Sequence, residues 1–291
     1  MIPSNGRLKL AIQKDGRMTE DSITLLKATG LDFDLRSRSL FSPCRNFPLD
    51  ILSLRDDDIP EYVQDGVCDL GIVGENIVVE KEARIAIVER LGFGKCRLVI
   101  CAPKAGAIRE LAGLARKRIA TSYPRTLGTF LASRGLPAEI VELSGAVEIA
   151  PALDVADAIC DLVSTGSTAR INGLEVIHTV MDSEALLIGH QALMTVAGKK
   201  ETAARFLVRI QSTLRGRGKK YVMMNAPSTS VSTIRHLIPG MKSPTIVPLA
   251  DPSMVAVHSV VGEEVFWEVM ERLKDAGATD IVVVPIEKFI P

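Results

Sequence analysis

The chain has 291 residues, with 35 Lys and Arg against 35 Asp and Glu, so its formal net charge is zero. A hydrophobic fraction of 47% excludes a disordered chain, the neutral balance excludes a general nucleic-acid binder, and no charge-free run reaches the roughly 18 residues of a membrane span. At about 150 residues per domain, the length predicts two domains or three small ones.

The N-terminus, Met1-Ile2-Pro3-Ser4-Asn5, has no basic segment followed by an apolar one, so the expectation is a cytoplasmic protein with no membrane partner. Cys44, Cys68, Cys96, Cys101 and Cys160 show no C-x-x-C spacing and are expected as free buried thiols. With four scattered histidines beside them, no protein-built transition-metal site can be read.

In chain order, Leu8 to Ile12 is short and apolar and reads as a buried strand. Polar Gln13 to Arg17 follows, then a helix opening at Thr19-Glu20-Asp21-Ser22 with acids in its first turn and closed by Gly30. Asp50 to Leu54 is a strand, Ile59 to Val63 a helix ended by Gly66, and Asp69 to Gly74 a strand running into a glycine turn. This β-α-β-α-β order predicts a mostly parallel sheet with helices on its faces.

A second α/β set starts near Gly92, with strands at Arg97–Ala102, Arg118–Thr121, Ile140–Leu143 and Ala158–Val163 and a helix from Pro124 to Arg134. A chain crossover is expected near Met181. Two such lobes predict a cleft between them, where ligands usually bind. A helix from Lys199 to Arg217 carries Ala203, Phe206, Leu207, Ile210 and Leu214 on one face. The rest reads β-α-β-β-α-β: Lys220–Asn225, Thr229–Ile238, Pro244–Leu249, Met254–Val260, Glu263–Ala276 and Asp280–Val284. That is the ferredoxin-like order. At about 70 residues it is near the lower size limit for a stable unit, so docking or oligomerisation is expected.

The stretch that points most directly to chemistry is Ala158 to Thr168. An apolar strand ends at Asp161-Leu162-Val163 and enters Ser164-Thr165-Gly166-Ser167-Thr168. A glycine lets the backbone approach a ligand closely, successive N–H groups and four hydroxyls then converge, and the result suits a phosphate. An ordinary turn whose hydroxyls cap the next helix is the plainer alternative. Asp161 stands four residues before Thr165, similar to the acid that phosphoribosyltransferases place before their phosphate loop, where a carboxylate can reach ribose hydroxyls or their Mg²⁺; by spacing alone a solvated strand end or a cap fits Asp161 equally.

Several stretches together resemble one family. Glu148-Ile149-Ala150-Pro151, the run Ala156 to Thr168 and Asn172-Gly173-Leu174 are similar to the signature of the ATP phosphoribosyltransferases, long form. So are Gln13–Arg17, Arg55–Pro60, Asp69–Asn76, Ala120–Pro124, Lys220–Met224, Ser243-Pro244-Thr245 and Val284–Lys288. Two positions depart from the pattern: Asp154, where the family usually has Gly, and Ala169, where it usually has Leu or Met.

The resemblance implies two periplasmic-binding-protein-like α/β lobes plus a C-terminal ferredoxin-like (ACT-like) βαββαβ domain. The expected divisions are 1–92 with 181–217 as lobe I, 93–180 as lobe II, and 218–291 as the regulatory domain. It implies transfer of the phosphoribosyl group of phosphoribosyl pyrophosphate to N1 of ATP, the first step of L-histidine biosynthesis, with Mg²⁺ and with histidine as inhibitor. A homo-oligomer between dimer and hexamer is expected.

For the site, Lys14, Arg17 and Arg55 are the catalytic candidates, since each follows a strand that ends toward the expected cleft and could stabilise charge on leaving pyrophosphate. Asp161, Ser164, Thr165, Gly166, Ser167 and Thr168 are expected to bind phosphoribosyl pyrophosphate. Asp69, Leu70, Gly71, Gly74 and Tyr123 are expected to bind the nucleotide, with Tyr123 stacking on adenine, although a buried strand with a terminal glycine fits Asp69–Gly74 equally. Ser243 and Thr245 are the effector candidates. No residue stands out as a general base, and neutral adenine N1 already carries the attacking lone pair, so no catalytic acid or base is named. The rival readings are a two-lobed small-molecule binding protein and a phosphoribosyltransferase acting on a free base.

Overall fold

The computed structural model describes residues 6–35, 40–164, 170–193, 198–238, 240 and 243–290. They form two compact units, Met1–Phe206 and Leu207–Pro291. No described helix is long and apolar enough to cross a membrane.

The first unit opens with β1 (Leu8–Gln13), α1 (Thr19–Ala28), β2 (Phe41–Pro43), β3 (Leu49–Leu54), α2 (Ile59–Gln64), β4 (Leu70–Gly74), α3 (Glu75–Glu80) and β5 (Ala86–Arg90). Leu25, Leu26 and Ser22 are the buried face of α1, the 3–4 spacing of a helix lying on a sheet. After β5 come β6 (Cys96–Pro103), β7 (Arg118–Thr121), α4 (Pro124–Ser133), β8 (Glu139–Glu142), β9 (Ala158–Val163), β10 (Leu174–Ser183) and β11 (Ala185–Gly189).

Two sheets result, ordered β2-β3-β1-β4-β11-β5 and β10-β6-β9-β7-β8. In the first, β3, β1 and β4 are parallel. β2 and β11 run against their neighbours, so this sheet is mixed rather than mostly parallel. The cause is the return of the chain. β10 ends in the second sheet and, with Glu184 alone between them, β11 enters the first sheet, where it inserts between β4 and β5 in the opposite sense. The two crossing segments pair with each other, Leu91 N–H donating to Ala185 O at 3.0 Å and Ala185 N–H to Phe93 O at 2.9 Å. We call the lobe of the first sheet lobe I and that of the second lobe II.

Helix α5 (Lys199–Gly216) carries the chain into the second unit. There β12 (Lys219–Pro227), α6 (Val231–Leu237), β13 (Thr245–Pro248), β14 (Met254–Gly262), α7 (Glu263–Asp275) and β15 (Thr279–Pro285) form an antiparallel sheet of order β13-β14-β12-β15. This is the β-α-β-β-α-β order of a ferredoxin-like domain. Val222, Met224, Ile234, Val257, Phe266 and Leu273 fill its core, and the alternating burial of β14 shows which sheet face the helices cover.

Candidate active site between the lobes of the first unit

Parallel strands end at the same edge, and that edge gathers most of the lobe I candidates. Lys14 and Arg17 follow β1, Arg55 follows β3 and Gly74 ends β4. Lys14 N–H donates to Leu54 O at 2.7 Å, which ties the two cationic loops together. The buried side chain of Gln13 shapes the first loop: its Oε1 accepts from Met18 N–H at 3.2 Å and its Nε2 donates to Asp56 Oδ2 at 3.1 Å. Gly16 adopts φ 144°, and a Cβ there would lie 2.3 Å from Gln13 Nε2, so the turn needs glycine.

Lys14, Arg17 and Arg55 are all exposed. Arg17 reaches the other lobe, where its Nη2 lies 3.2 Å from Cys96 Sγ at the start of β6. The next residue, Arg97, pairs with Val163, the last residue of β9. Ser164 follows Val163, so the structure brings Arg17 and the start of the expected phosphate loop to one end of the cleft. A cavity of about 340 Å³ lies there, lined by Cys96, Arg97, Lys95, Arg90, Glu75 and Ser164. Thr165, Gly166, Ser167 and Thr168, with Ala169, lie outside the described residues.

Asp161 is half-buried on β9. Burial pushes its pKa above the ordinary aspartate range, opposed by the Leu162 N–H at 2.7 Å and reinforced by Glu148. Asp56 is raised as well, by burial first and then by Asp57.

Tyr123 stands between the lobes. It packs against core residues of both, and its OH accepts from Asn76 Nδ2 at 3.3 Å. Burial raises its pKa, and the negative charge of Asp161, then of Asp56 and Asp57, raises it further. A second cavity, about 590 Å³, opens beside it, lined by Asp56, Asp57, Glu80, Lys81, Arg125 and Glu142.

Three nucleotide candidates do not reach this place. β1 pairs with β4 as Leu10 to Leu70 and Ala11 to Gly71, so Asp69, Leu70 and Gly71 lie at the N-terminal end of β4. That end is about 13 Å from Gly74 at the ordinary strand rise. The Asp69 carboxylate accepts from Lys9 N–H at 2.9 Å and from Lys199 Nζ at 2.8 Å. Leu70 is fully buried, and a Cβ on Gly71 would meet Ile59 Cγ2 at 2.7 Å. Gly71 is there because α2 packs directly on β4. In this structure Asp69, Leu70 and Gly71 thus make packing and ion-pair contacts away from the cleft, whereas Gly74 ends β4 at the cleft edge and Tyr123 stands between the lobes.

Sequence reasoning also missed residues. Gln13, Asn76, Glu80, Cys96 and Arg97 each have a partner far along the chain. Asn76 N–H donates to Ser183 Oγ at 3.1 Å, 107 residues away. Arg90 is held by Glu75 and Glu184 at 2.6 and 3.1 Å beside the crossing segments. Among the described residues no group of three or more His, Cys, Asp or Glu is arranged to hold a metal ion.

In the second unit, Thr245 is exposed and opens edge strand β13 opposite His258. Ser243 Oγ is 3.4 Å from Pro244 O, and His258 Nδ1 is 2.9 Å from Tyr221 OH.

The family model described as ATP phosphoribosyltransferase matches residues 55–212, and the one described as "HisG, C-terminal domain" matches residues 216–288. A protein of Cytophaga hutchinsonii named ATP phosphoribosyltransferase is 48% identical over 97% of this chain and 98% of its own length. A Bacteroides fragilis protein of the same name is 45% identical over 97% of this chain and 99% of its own. Among solved structures, the "ATP phosphoribosyl transferase (HisG:HisZ) complex" from Thermotoga maritima aligns with TM-score 0.63 and 30% identity, over 72% of this chain and 98% of that one.

Proposed function

Because the chain belongs to the ATP phosphoribosyltransferase family and performs that family's reaction, the first step of histidine biosynthesis, we propose that the transfer runs in the cleft between its two lobes. The observation that carries this placement is the approach of Arg17 to Cys96, which sets the cationic edge of lobe I against the end of β9.

In this reading phosphoribosyl pyrophosphate binds with its 5-phosphate on the loop Ser164–Thr168 and its ribose hydroxyls near Asp161. Adenine N1 attacks C1 of the ribose from the face opposite the leaving group. The N1–C1 bond forms as the C1–O bond breaks, and the electron pair of that bond leaves with pyrophosphate. Lys14, Arg17 and Arg55 stabilise the negative charge growing there. Adenine lies against Tyr123, beside a cavity whose 590 Å³ is within the usual range for small-molecule sites. Mg²⁺ bound with the substrate would help neutralise the charge growing on the leaving pyrophosphate.

The second unit takes histidine as an inhibitor, with Ser243 and Thr245 as contacts, and the protein works as a cytoplasmic homo-oligomer. Release of pyrophosphate on mixing the protein with ATP and phosphoribosyl pyrophosphate tests the reaction. Release with guanine, hypoxanthine or orotate in place of ATP would instead support a free-base enzyme, and tight substrate binding without release a binding protein.

A further inference from the structure

Helix α4 is capped from outside its own segment. Its cap position is Tyr123, which makes no side-chain capping bond, and Pro124 follows. The next N–H groups need acceptors, as at any helix start. Glu80, the last residue of α3 in lobe I, supplies them from the other lobe. Its Oε1 accepts from Arg125 N–H at 2.9 Å, and its Oε2 accepts from Thr126 N–H at 2.9 Å and from Thr126 Oγ1 at 2.7 Å.

Both partners are buried, Glu80 at 9% exposure and Thr126 at 8%. A carboxylate at a helix N-terminus is favoured by the helix dipole as well as by its hydrogen bonds. One turn earlier on the same face of α3, Asn76 donates to Tyr123 OH. Asn76 is itself fixed, because Ser183 Oγ donates to its Oδ1 at 2.9 Å. The i and i+4 residues of α3 thus grip Tyr123, Arg125 and Thr126 at the start of α4, across the cleft, and both Glu80 and Tyr123 line the 590 Å³ cavity.

A set of bonds this short exists at one separation of the lobes and lapses when they part by an ångström or so. We infer that Glu80 is a positioning residue for the transfer: by capping α4 from the opposite lobe it sets the separation of the lobes and the place of Tyr123 in the nucleotide half of the cleft. The inference rests on the cleft being where the reaction runs.

The test compares Glu80→Gln and Glu80→Ala with the full wild-type chain. Gln keeps the size but turns an amide NH₂ toward an N–H. Spin labels at Lys27→Cys on α1 and Ala132→Cys on α4, both exposed positions, report the distance between lobes, while the five native cysteines are buried. Kinetics are read at a temperature well below each variant's Tm. The expected result is a longer and broader distance distribution, together with an ATP KM raised about tenfold, the fold-change equivalent to about one hydrogen bond, and a smaller change in kcat. Glu80→Gln keeps the test open should Glu80→Ala fail to fold. Unchanged distances and KM with a lowered Tm would make Glu80 a structural cap and overturn the inference. Widened distances with unchanged KM and kcat would equally overturn the positioning role. The distances are read without turnover, and wild-type pyrophosphate release is the separate control on the reaction itself.

Discussion

Arg17 Nη2 and Cys96 Sγ, 79 residues apart in sequence, meet at 3.2 Å across the cleft. The contact links an exposed guanidinium after β1 to the strand that pairs with β9. Arg17→Ala and Arg55→Ala are expected to lower kcat/KM by about 10²-fold each, the scale for one preorganised charge-stabilising donor, while Tm changes little because both side chains are exposed. A large loss of Tm with unchanged kcat/KM would make them structural.

Thr165→Val and Thr168→Val each remove a hydroxyl while roughly keeping volume. Each should weaken phosphoribosyl pyrophosphate by about 1.5–3 kcal/mol, the range for a hydrogen bond to a charged group, with ATP binding changed much less. Isothermal titration with each substrate separates the two effects, and wild-type affinity in both variants would remove the loop from the site.

The raised pKa of Asp161 gives a stability prediction with a definite sign. A carboxyl that folds with an elevated pKa contributes full stability below its unfolded pKa and loses it as pH rises through the folded value. Asp161→Asn removes that loss. The variant should therefore melt higher than wild type at neutral pH, with the difference vanishing below the ordinary aspartate range, and its kcat/KM should fall about tenfold or more if the carboxylate meets the ribose hydroxyls. A melting difference independent of pH would contradict the assignment.

Lys199→Met leaves Asp69 buried with the Lys9 N–H as the remaining partner of its side chain among the described residues. Complete burial would put the cost at about 3–5 kcal/mol, and side-chain exposures of 24% and 11% reduce it to about 1–3 kcal/mol. Denaturant unfolding should show this loss, while the KM for ATP stays within about twofold well below Tm. A selective rise in ATP KM would return Asp69 to the nucleotide site.

Thr245→Ala should raise the histidine concentration for half inhibition and leave uninhibited kcat within about twofold, as expected when coupling rather than catalysis is lost. Inhibition requires histidine to prefer a less active state, so an unchanged inhibition curve would place the effector elsewhere.

Much of the architecture could be read from residue patterns. Short apolar runs such as Leu8–Ile12 and Ala158–Val163, the glycine stops at Gly30 and Gly66, and the β-α-β-β-α-β order after Gly218 appear as strands, turns and a ferredoxin-like unit. Hydrophobic periodicity reports burial, and burial is what these elements share. Periodicity does not say which end of a strand faces a ligand. Asp69 and Gly74 sit in one apolar run, yet parallel pairing with β1 sends Gly74 to the cleft and Asp69 to Lys199, 130 residues away. The β11 return was equally hidden, because an all-apolar strand of five residues has no direction in its sequence. Glu80 looks like a surface acid at the end of a short helix, and only the packing of α3 against α4 makes it the cap of another lobe. The sequence by itself determined most of the elements and the family, since these depend on neighbours along the chain. Tertiary structure decided strand direction, cleft membership and the partners of buried charges, because those depend on groups brought together from distant positions.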